Sequence, residues 1–186
     1  EAIATEAARL RARAAHDIRA PGLLAASAGG LMFTHIGEHT LLHHIENSPK
    51  RLDYWQQGLA AIERVHRNGQ YLSQAFARNI IVCNDSQIGF IDFEDDPGRY
   101  MPLERCQSRD YLCYLQSSAV WLQKHGLLDQ AAAIWRQHSS SLPAALRTPI
   151  ESAIRPIGWM RHLQAGFWGN DTLRLAALAA LFEQAK

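Results

Sequence analysis

The segment Tyr71–Pro97 reads YLSQAFARNIIVCNDSQIGFIDFEDDP. It contains two short apolar runs, Asn79–Val82 and Ile88–Ile91, which are separated by a polar turn. Runs of this length that are rich in β-branched residues and flank a polar turn predict a β-hairpin. Because a hairpin brings its two outer ends together, we expect the side chains of Asn79 and Asp92 to lie side by side.

Asn79 and Asp92 carry oxygen ligands of the kind that Mg²⁺ prefers. An amide oxygen and a carboxylate, held close by a short sheet, suit a magnesium ion that bridges phosphate groups. Arg78, next to Asn79, is a candidate for a phosphate contact, with an ion pair to the acidic cluster at 92–96 as the alternative. Glu94, in the same cluster, is a candidate for joining Asp92 on a second metal ion, with a solvated acidic loop as the alternative.

These residues resemble the catalytic loop and metal-binding motif of protein-kinase-like proteins. In that family the loop H-R-D-x-x-x-x-N precedes a short hairpin and the aspartate of D-F-G, and the Asn and this Asp hold Mg²⁺. Asn79 and Asp92 stand at both metal positions, and Asp92-Phe93-Glu94 replaces D-F-G. The variant resembles that of a bacterial kinase-like family, in the lipopolysaccharide-kinase and InaA-type branch.

Two flanking features extend the resemblance over about residues 59–122. Upstream, the segment from Leu59 to Gly69 is similar to the helix and turn that lead into a kinase catalytic loop. We expect His66, at the end of that helix, to bond to the loop, with a ligand or acid role as the alternative. Downstream, Asp110 is similar to the buried aspartate that braces such a loop. A buried carboxylate needs hydrogen-bond donors, which loop amides would supply, so its expected role is structural.

The general-base position of the resembled motif is altered. The aspartate that accepts the substrate proton belongs five residues before Asn79, and Gln74 occupies that position. An amide does not titrate near neutral pH, so Gln74 cannot accept and keep a hydroxyl proton. The resemblance therefore implies a degenerate kinase, or pseudokinase. One alternative is an active ATP- and Mg²⁺-dependent kinase for a small molecule or envelope saccharide, and another is a helical protein-interaction domain.

Residues 1–46 are expected to form the remnant of a kinase-like N-lobe. Apolar positions at helical spacing predict a helix over 1–16. In the resembled fold a glutamate of this helix positions the nucleotide through a strand lysine; Glu6 is the candidate, with a solvated helix glutamate as the alternative. No such lysine is found where the strand belongs, because the first lysine, Lys50, lies beyond that segment. The lysine and a glycine-rich loop are expected either to lie upstream of Glu1 in a longer chain or not to exist.

Two strands and a hinge are expected after this first helix. Leu23–Ala26 and Gly30–His35 read as short strands on either side of a small-residue turn. In the resembled fold the second strand runs into a hinge whose backbone binds the adenine of ATP. The cofactor contacts would then be made by Thr34, His35 and Ile36.

The rest of the chain, 47–186, is expected to form a helical, kinase-like C-lobe that contains the hairpin segment. Apolar residues recur every three or four positions over 51–68 and 104–124, which predicts two amphipathic helices. Shorter helices are predicted over 128–138, 143–156 and 171–185. The fold class is therefore α+β and mostly helical. The aromatic and basic segment 158–169 is typical of packing against the body, with a substrate groove or partner surface as the alternative.

Composition limits the classes of partner and compartment. The chain has 186 residues and 47% hydrophobic residues, enough for one domain with a sizeable core. A net charge of +1 gives no electrostatic argument for nucleic acid. No apolar run is long enough for a membrane span. Three cysteines, an odd number, favour a reducing, cytoplasmic compartment over a disulfide framework. The expected partners are a nucleotide with a small-molecule or saccharide acceptor, or a regulatory protein.

Overall fold

The protein combines two small antiparallel sheets with helices over most of the chain. Its structure is a computed structural model that describes residues 2–14, 18–27, 29–163 and 168–186. The helices are α1 (Ala2–Ala14), α2 (Leu41–Asn47), α3 (Arg51–Arg67), α4 (Leu103–Lys124), α5 (Leu128–Ser140), α6 (Ala144–Ile154) and α7 (Asn170–Gln184). The predicted α+β, mostly helical class is confirmed. No helix in the described ranges is both long and apolar enough to cross a bilayer.

The strands include the hairpin that the sequence predicts. They are β1 (Leu23–Ser27), β2 (Gly30–Phe33), β3 (His39–Thr40), β4 (Ile80–Val82) and β5 (Ile88–Phe90). β1 pairs with β2, and the second sheet has the order β3-β4-β5, with Ile80 opposite Phe90. The two-residue strand β3 was not predicted; it pairs His39 with Val82. A bridge this short leaves no periodic signal in a sequence.

The hydrophobic core lies where α3 crosses α4. Trp55 and Tyr114 are completely buried there. Their polar atoms are satisfied inside the core, because Trp55 Nε1 donates to Ser118 Oγ at 2.9 Å and the Tyr114 hydroxyl donates to the Trp55 carbonyl at 2.7 Å. Large aromatic side chains therefore fill the interior without leaving an unpaired donor.

Helix α2 belongs to the same core, although the predicted boundary between the two parts of the chain falls at its end. Its Leu41 and Ile45 are completely buried among the residues of α3 and α4. The three cysteines are free and buried, as expected of small core residues. Burial raises the pKa of Cys113 to about 11, so this thiol is unreactive at neutral pH.

Close approach of the helices at Gly58 generates a stability prediction. A Cβ at this position would collide with the hydroxyl of Tyr114 and would lie 2.5 Å from a methyl group of Leu41. Alanine is the better helix former, yet Gly58→Ala is expected to destabilise the protein by about 1–3 kcal/mol through overpacking. Urea unfolding measures the difference, with exposed Gln57→Ala on the same helix as a control that stays within about 0.5 kcal/mol. A stabilised Gly58→Ala variant would contradict this packing.

Candidate functional site

The loop before the hairpin is held from below by Asp110, which is completely buried in α4. The backbone amide of Leu72 donates to its Oδ2 at 2.7 Å, and the amide of Ser73 donates to its Oδ1 at 2.8 Å. Hydrogen bonds to a buried carboxylate are among the stronger ones in proteins. The predicted bracing role of Asp110 is confirmed.

His66 contacts this brace instead of the loop. Its Nε2 lies 3.0 Å from Asp110 Oδ2, and its side chain is almost fully buried. The predicted hydrogen bond between His66 and the loop is therefore wrong, because the partner of His66 is Asp110 of α4. The tie to the loop is indirect, because Asp110 joins the imidazole and the two loop amides. Buried beside Asp110, His66 has the surroundings of a structural residue.

Asn79 and Asp92 meet at the open end of the hairpin, as predicted. Asn79 Nδ2 donates to Asp92 Oδ2 at 2.8 Å and to the Gln74 carbonyl at 3.1 Å. Since both bonds use the amide nitrogen, the amide oxygen of Asn79 remains available to a cation. Asp92 has a φ of 67°, in the left-handed region that non-glycine residues rarely adopt. Such conformations concentrate at functional sites.

A cavity of about 390 Å³ opens in front of Asp92. Carboxylates of Glu6, Asp92 and Glu94 lie on its wall, next to apolar side chains that include Leu10 and Phe33. Partial burial, followed by the negative charges of Glu94 and Asp92, raises the pKa of Glu6. A hydrogen bond from the Phe93 amide opposes these effects. The three carboxylates thus concentrate negative charge on one wall, where a cation would be stabilised.

The donor set fits one kind of cation better than others. The described part of the chain contains no group of three or more His, Cys, Asp or Glu residues that could hold a metal ion. Zinc and calcium sites normally need such a set. Mg²⁺ is commonly held by one or two carboxylates together with the phosphates of a substrate. Asp92 and the amide oxygen of Asn79 are oxygen donors of this kind, and Mg²⁺ at these residues, with Glu94 of the same cavity wall as a further ligand, stays a prediction.

Arg9 of α1 is the residue that sequence reasoning missed. It is only 8% exposed, although it carries a full charge. Its guanidinium donates to Ser73 Oγ, to the Asp95 carbonyl and to the Tyr71 carbonyl, the last at 3.2 Å. It also lies 3.6 Å from Asp96 Oδ1. This one side chain fastens α1 to the loop, which keeps Glu6, one turn earlier, beside Asp92.

The acidic loop after the hairpin is paired by arginines other than Arg78. Asp95 accepts from Arg109 at 2.7 Å, and Asp96 lies 3.3 Å from Arg99 as well as near Arg9. The alternative of a purely solvated acidic loop is therefore wrong for these two aspartates. The ion pair predicted between Arg78 and the acidic cluster is wrong, because its guanidinium lies 4.4 Å from the centre of the Phe76 ring. The aromatic face attracts the cation locally. A phosphate contact of Arg78 stays a prediction.

The remaining predicted residues lie around this centre. Gln74 contributes its backbone, since its carbonyl accepts from Asn79 and from the amide of Phe76. Thr34 closes the β1–β2 end, where its amide donates to the Gly22 carbonyl at 2.9 Å. Phe33, and not the predicted hinge residues Thr34, His35 and Ile36, lines the cavity in front of Asp92. Adenine contacts at the hinge stay a prediction.

Comparisons with known proteins identify no relative from which a function could be inferred. The sequence matches no protein-family model, and a search of curated proteins finds no similar sequence. Function is therefore inferred from the loop, the Asn79–Asp92 pair and the cavity in front of them.

The contacts of Arg9 predict that its loss is costly. Arg9→Gln removes a buried charge from several acceptors, and we expect a loss of about 2–4 kcal/mol in the free energy of unfolding. Arg19→Gln is the control, because Arg19 pairs with Asp85 at 2.7 Å on the surface, where both side chains are about half exposed. An exposed pair contributes about 0–1 kcal/mol. Chemical denaturation of both variants checks the difference, and equal losses would contradict the role of Arg9.

Proposed function

We propose that the chain is a kinase-like protein that binds a Mg²⁺–nucleotide at the Asn79–Asp92 edge and is degenerate in catalysis, as a pseudokinase is. The observation that carries this proposal is the 2.8 Å contact between Asn79 and Asp92 above a loop whose amides are held by Asp110. A metal-binding pair, a braced loop and an acidic cavity in one place are the parts that phosphoryl-transfer sites use.

Each part has a physical task in this proposal. Asp92 and the oxygen of Asn79 would hold Mg²⁺, and when bound the ion neutralises charge on the phosphates. Arg9 keeps α1 against the loop, so the carboxylate of Glu6 stays on the cavity wall. The apolar part of that wall, which includes Ile3, Leu31 and Phe33, would exclude water from one side of the nucleotide.

Gln74 is the reason for proposing a degenerate site. At the position of the general base it offers an amide, which does not take up a proton near neutral pH. Asn79 Nδ2 donates to the Gln74 carbonyl at 3.1 Å, which fixes the backbone at this position next to the proposed metal site. Binding without efficient turnover is the combination that this arrangement supports.

Active transfer to a small molecule or envelope saccharide is the second candidate. Positioning and electrostatic stabilisation supply most of the acceleration in phosphoryl transfer, so a missing base lowers the rate without abolishing it. The short segment from Asp95 to the start of α4 favours a small acceptor over a peptide, because the ion pairs of Asp95 with Arg109 and of Asp96 with Arg9 hold it against the helices. A helical interaction domain, the third possibility, gives no account of the left-handed Asp92 beside Asn79.

Ligand-dependent thermal unfolding tests the binding site. Wild type should be stabilised by ATP with Mg²⁺ and much less by ATP with EDTA, and Asp92→Asn should lose the Mg²⁺-dependent part. Ligand at 100 times its dissociation constant adds about 2.7 kcal/mol, a shift of several degrees. Each variant is compared with its own ligand-free transition, so changes in basal stability cancel. Asp85→Asn, in the hairpin turn, is the control, and an undiminished shift in Asp92→Asn would refute the site.

Restoring the base tests the degenerate state. Gln74→Asp should raise Mg²⁺-dependent release of phosphate from ATP by about 10²-fold, because a positioned base typically contributes at least this factor. Gln87→Asp adds the same carboxylate at an exposed position of the hairpin turn and should leave the rate unchanged. Retained nucleotide binding without any gain in Gln74→Asp would contradict the assignment of Gln74 to the base position.

A further inference from the structure

A second cavity lies among the C-terminal helices, away from the hairpin and the loop. It has a volume of about 620 Å³, larger than the cavity in front of Asp92. Its walls come from α5, α6, α7 and the 3₁₀ segment Arg155–His162. Sites for small molecules typically measure about 300–1,000 Å³ and are mostly apolar with a few convergent polar groups. This cavity has the size and the composition of such a site.

The floor of this cavity is aromatic. Trp135 and Phe182 line it with their ring centres 5.8 Å apart, in an edge-to-face arrangement. Trp159 also lines it and is 62% exposed, so an indole ring stands at the entrance. Exposing a tryptophan costs free energy unless something covers it. Rings of this kind contact another aromatic ring through offset or edge-to-face geometry.

The rim carries more cations than anions. Its basic residues are Arg147, Arg155, Arg161 and Lys186, and its acidic residues are Glu151 and Glu183. Arg147 lies 3.7 Å from Glu151, and Lys186 lies 2.6 Å from Glu183. Each of the two carboxylates therefore already has an ion pair with a basic residue close to it in the sequence. The side chain of Arg155 is exposed and has no hydrogen bond or ion pair to any residue that the structure describes; its backbone amide donates to the Glu151 carbonyl.

The charge of the rim also acts on Glu183. A hydrogen bond from Lys186 lowers the pKa of Glu183, and the positive charges of Lys186, Arg161 and His162 lower it further. Arg161 of the 3₁₀ segment and Lys186 after α7 therefore place positive charge near Glu183 on the lining of this cavity. A cavity lined by aromatic side chains and by a guanidinium without an ion pair is suited to a ligand that carries a negative group on an aromatic body.

We propose that this cavity binds a small aromatic anion, with its ring against Trp135, Trp159 and Phe182 and its carboxylate, sulfonate or phosphate on Arg155. The aromatic walls favour a ring over an aliphatic chain, and the excess of cations excludes a cationic ligand. The site is separate from the Asn79–Asp92 edge and does not depend on the function proposed for that edge.

Calorimetric titration of the whole chain with three probes tests the proposal. 1-Naphthoate, an aromatic anion, should bind, and 1-naphthylmethanol, which has the same ring without charge, should bind about tenfold or more weakly. Decanoate, an aliphatic anion, should also bind more weakly than 1-naphthoate. Decanoate as the tightest ligand would refute the aromatic assignment, and equal binding of the two naphthyl compounds would refute the role of the charge.

Two variants place the ligand within the molecule. Arg155→Gln should weaken 1-naphthoate about tenfold, as expected for one charge-assisted contact, and Arg105→Gln, an exposed arginine of α4, should not. Trp159→Ala should weaken both naphthyl compounds, whereas Tyr100→Ala, which removes an aromatic ring that is 82% exposed, should leave them unchanged. Trp159 and Tyr100 are exposed, so neither change threatens the fold. Unaltered affinity in both Arg155→Gln and Trp159→Ala would exclude this cavity as the site.

Discussion

The carboxylate of Asp110 is the interaction on which the geometry of the candidate site depends. It is completely buried and binds the amides of Leu72 and Ser73 together with the imidazole of His66. An isolated charge at this depth would be strongly unfavourable, so the loop must follow the path that brings both amides to it. That path carries the chain through the Ser73 conformation, with a φ of 83°, toward the start of the hairpin.

Arg9 adds a second constraint from the other side of the loop. Arg9 and Arg99 form ion pairs with Asp96, and Arg109 forms one with Asp95. Glu6, Asp92 and Glu94 line the cavity and have no ion pair with these arginines in the part of the chain that the structure describes. The division separates a structural set of acids from a set that remains available to a cation. In the function proposed above, Mg²⁺ is the cation that would neutralise the negative charge of these carboxylates.

The sequence predicted the structural roles that depend on a local pattern of residues. It did not predict contacts between side chains that are far apart in the chain. The hairpin and long helices follow from apolar periodicity, and Asp110 was recognisable as a carboxylate amid apolar neighbours. Arg9 resembles any arginine of a surface helix, because its partner Ser73 is 64 positions away. The predicted pairing of Arg78 with the acids across the hairpin was wrong, because the sequence does not reveal that the Arg78 guanidinium lies over the ring of its near neighbour Phe76 or that Arg109 holds Asp95.

The two cavities have opposite electrostatics, and this difference determines how each can accept a negatively charged ligand. The wall near Asp92 carries three carboxylates, so phosphates would be repelled there unless a divalent cation entered with them. The rim near Arg155 has excess cations and would accept an anion without any metal. Chelation should therefore remove an anion from the first cavity and leave it in the second. Dependence on Mg²⁺ thus separates the two sites even for a nucleotide, whose adenine ring and phosphates suit both.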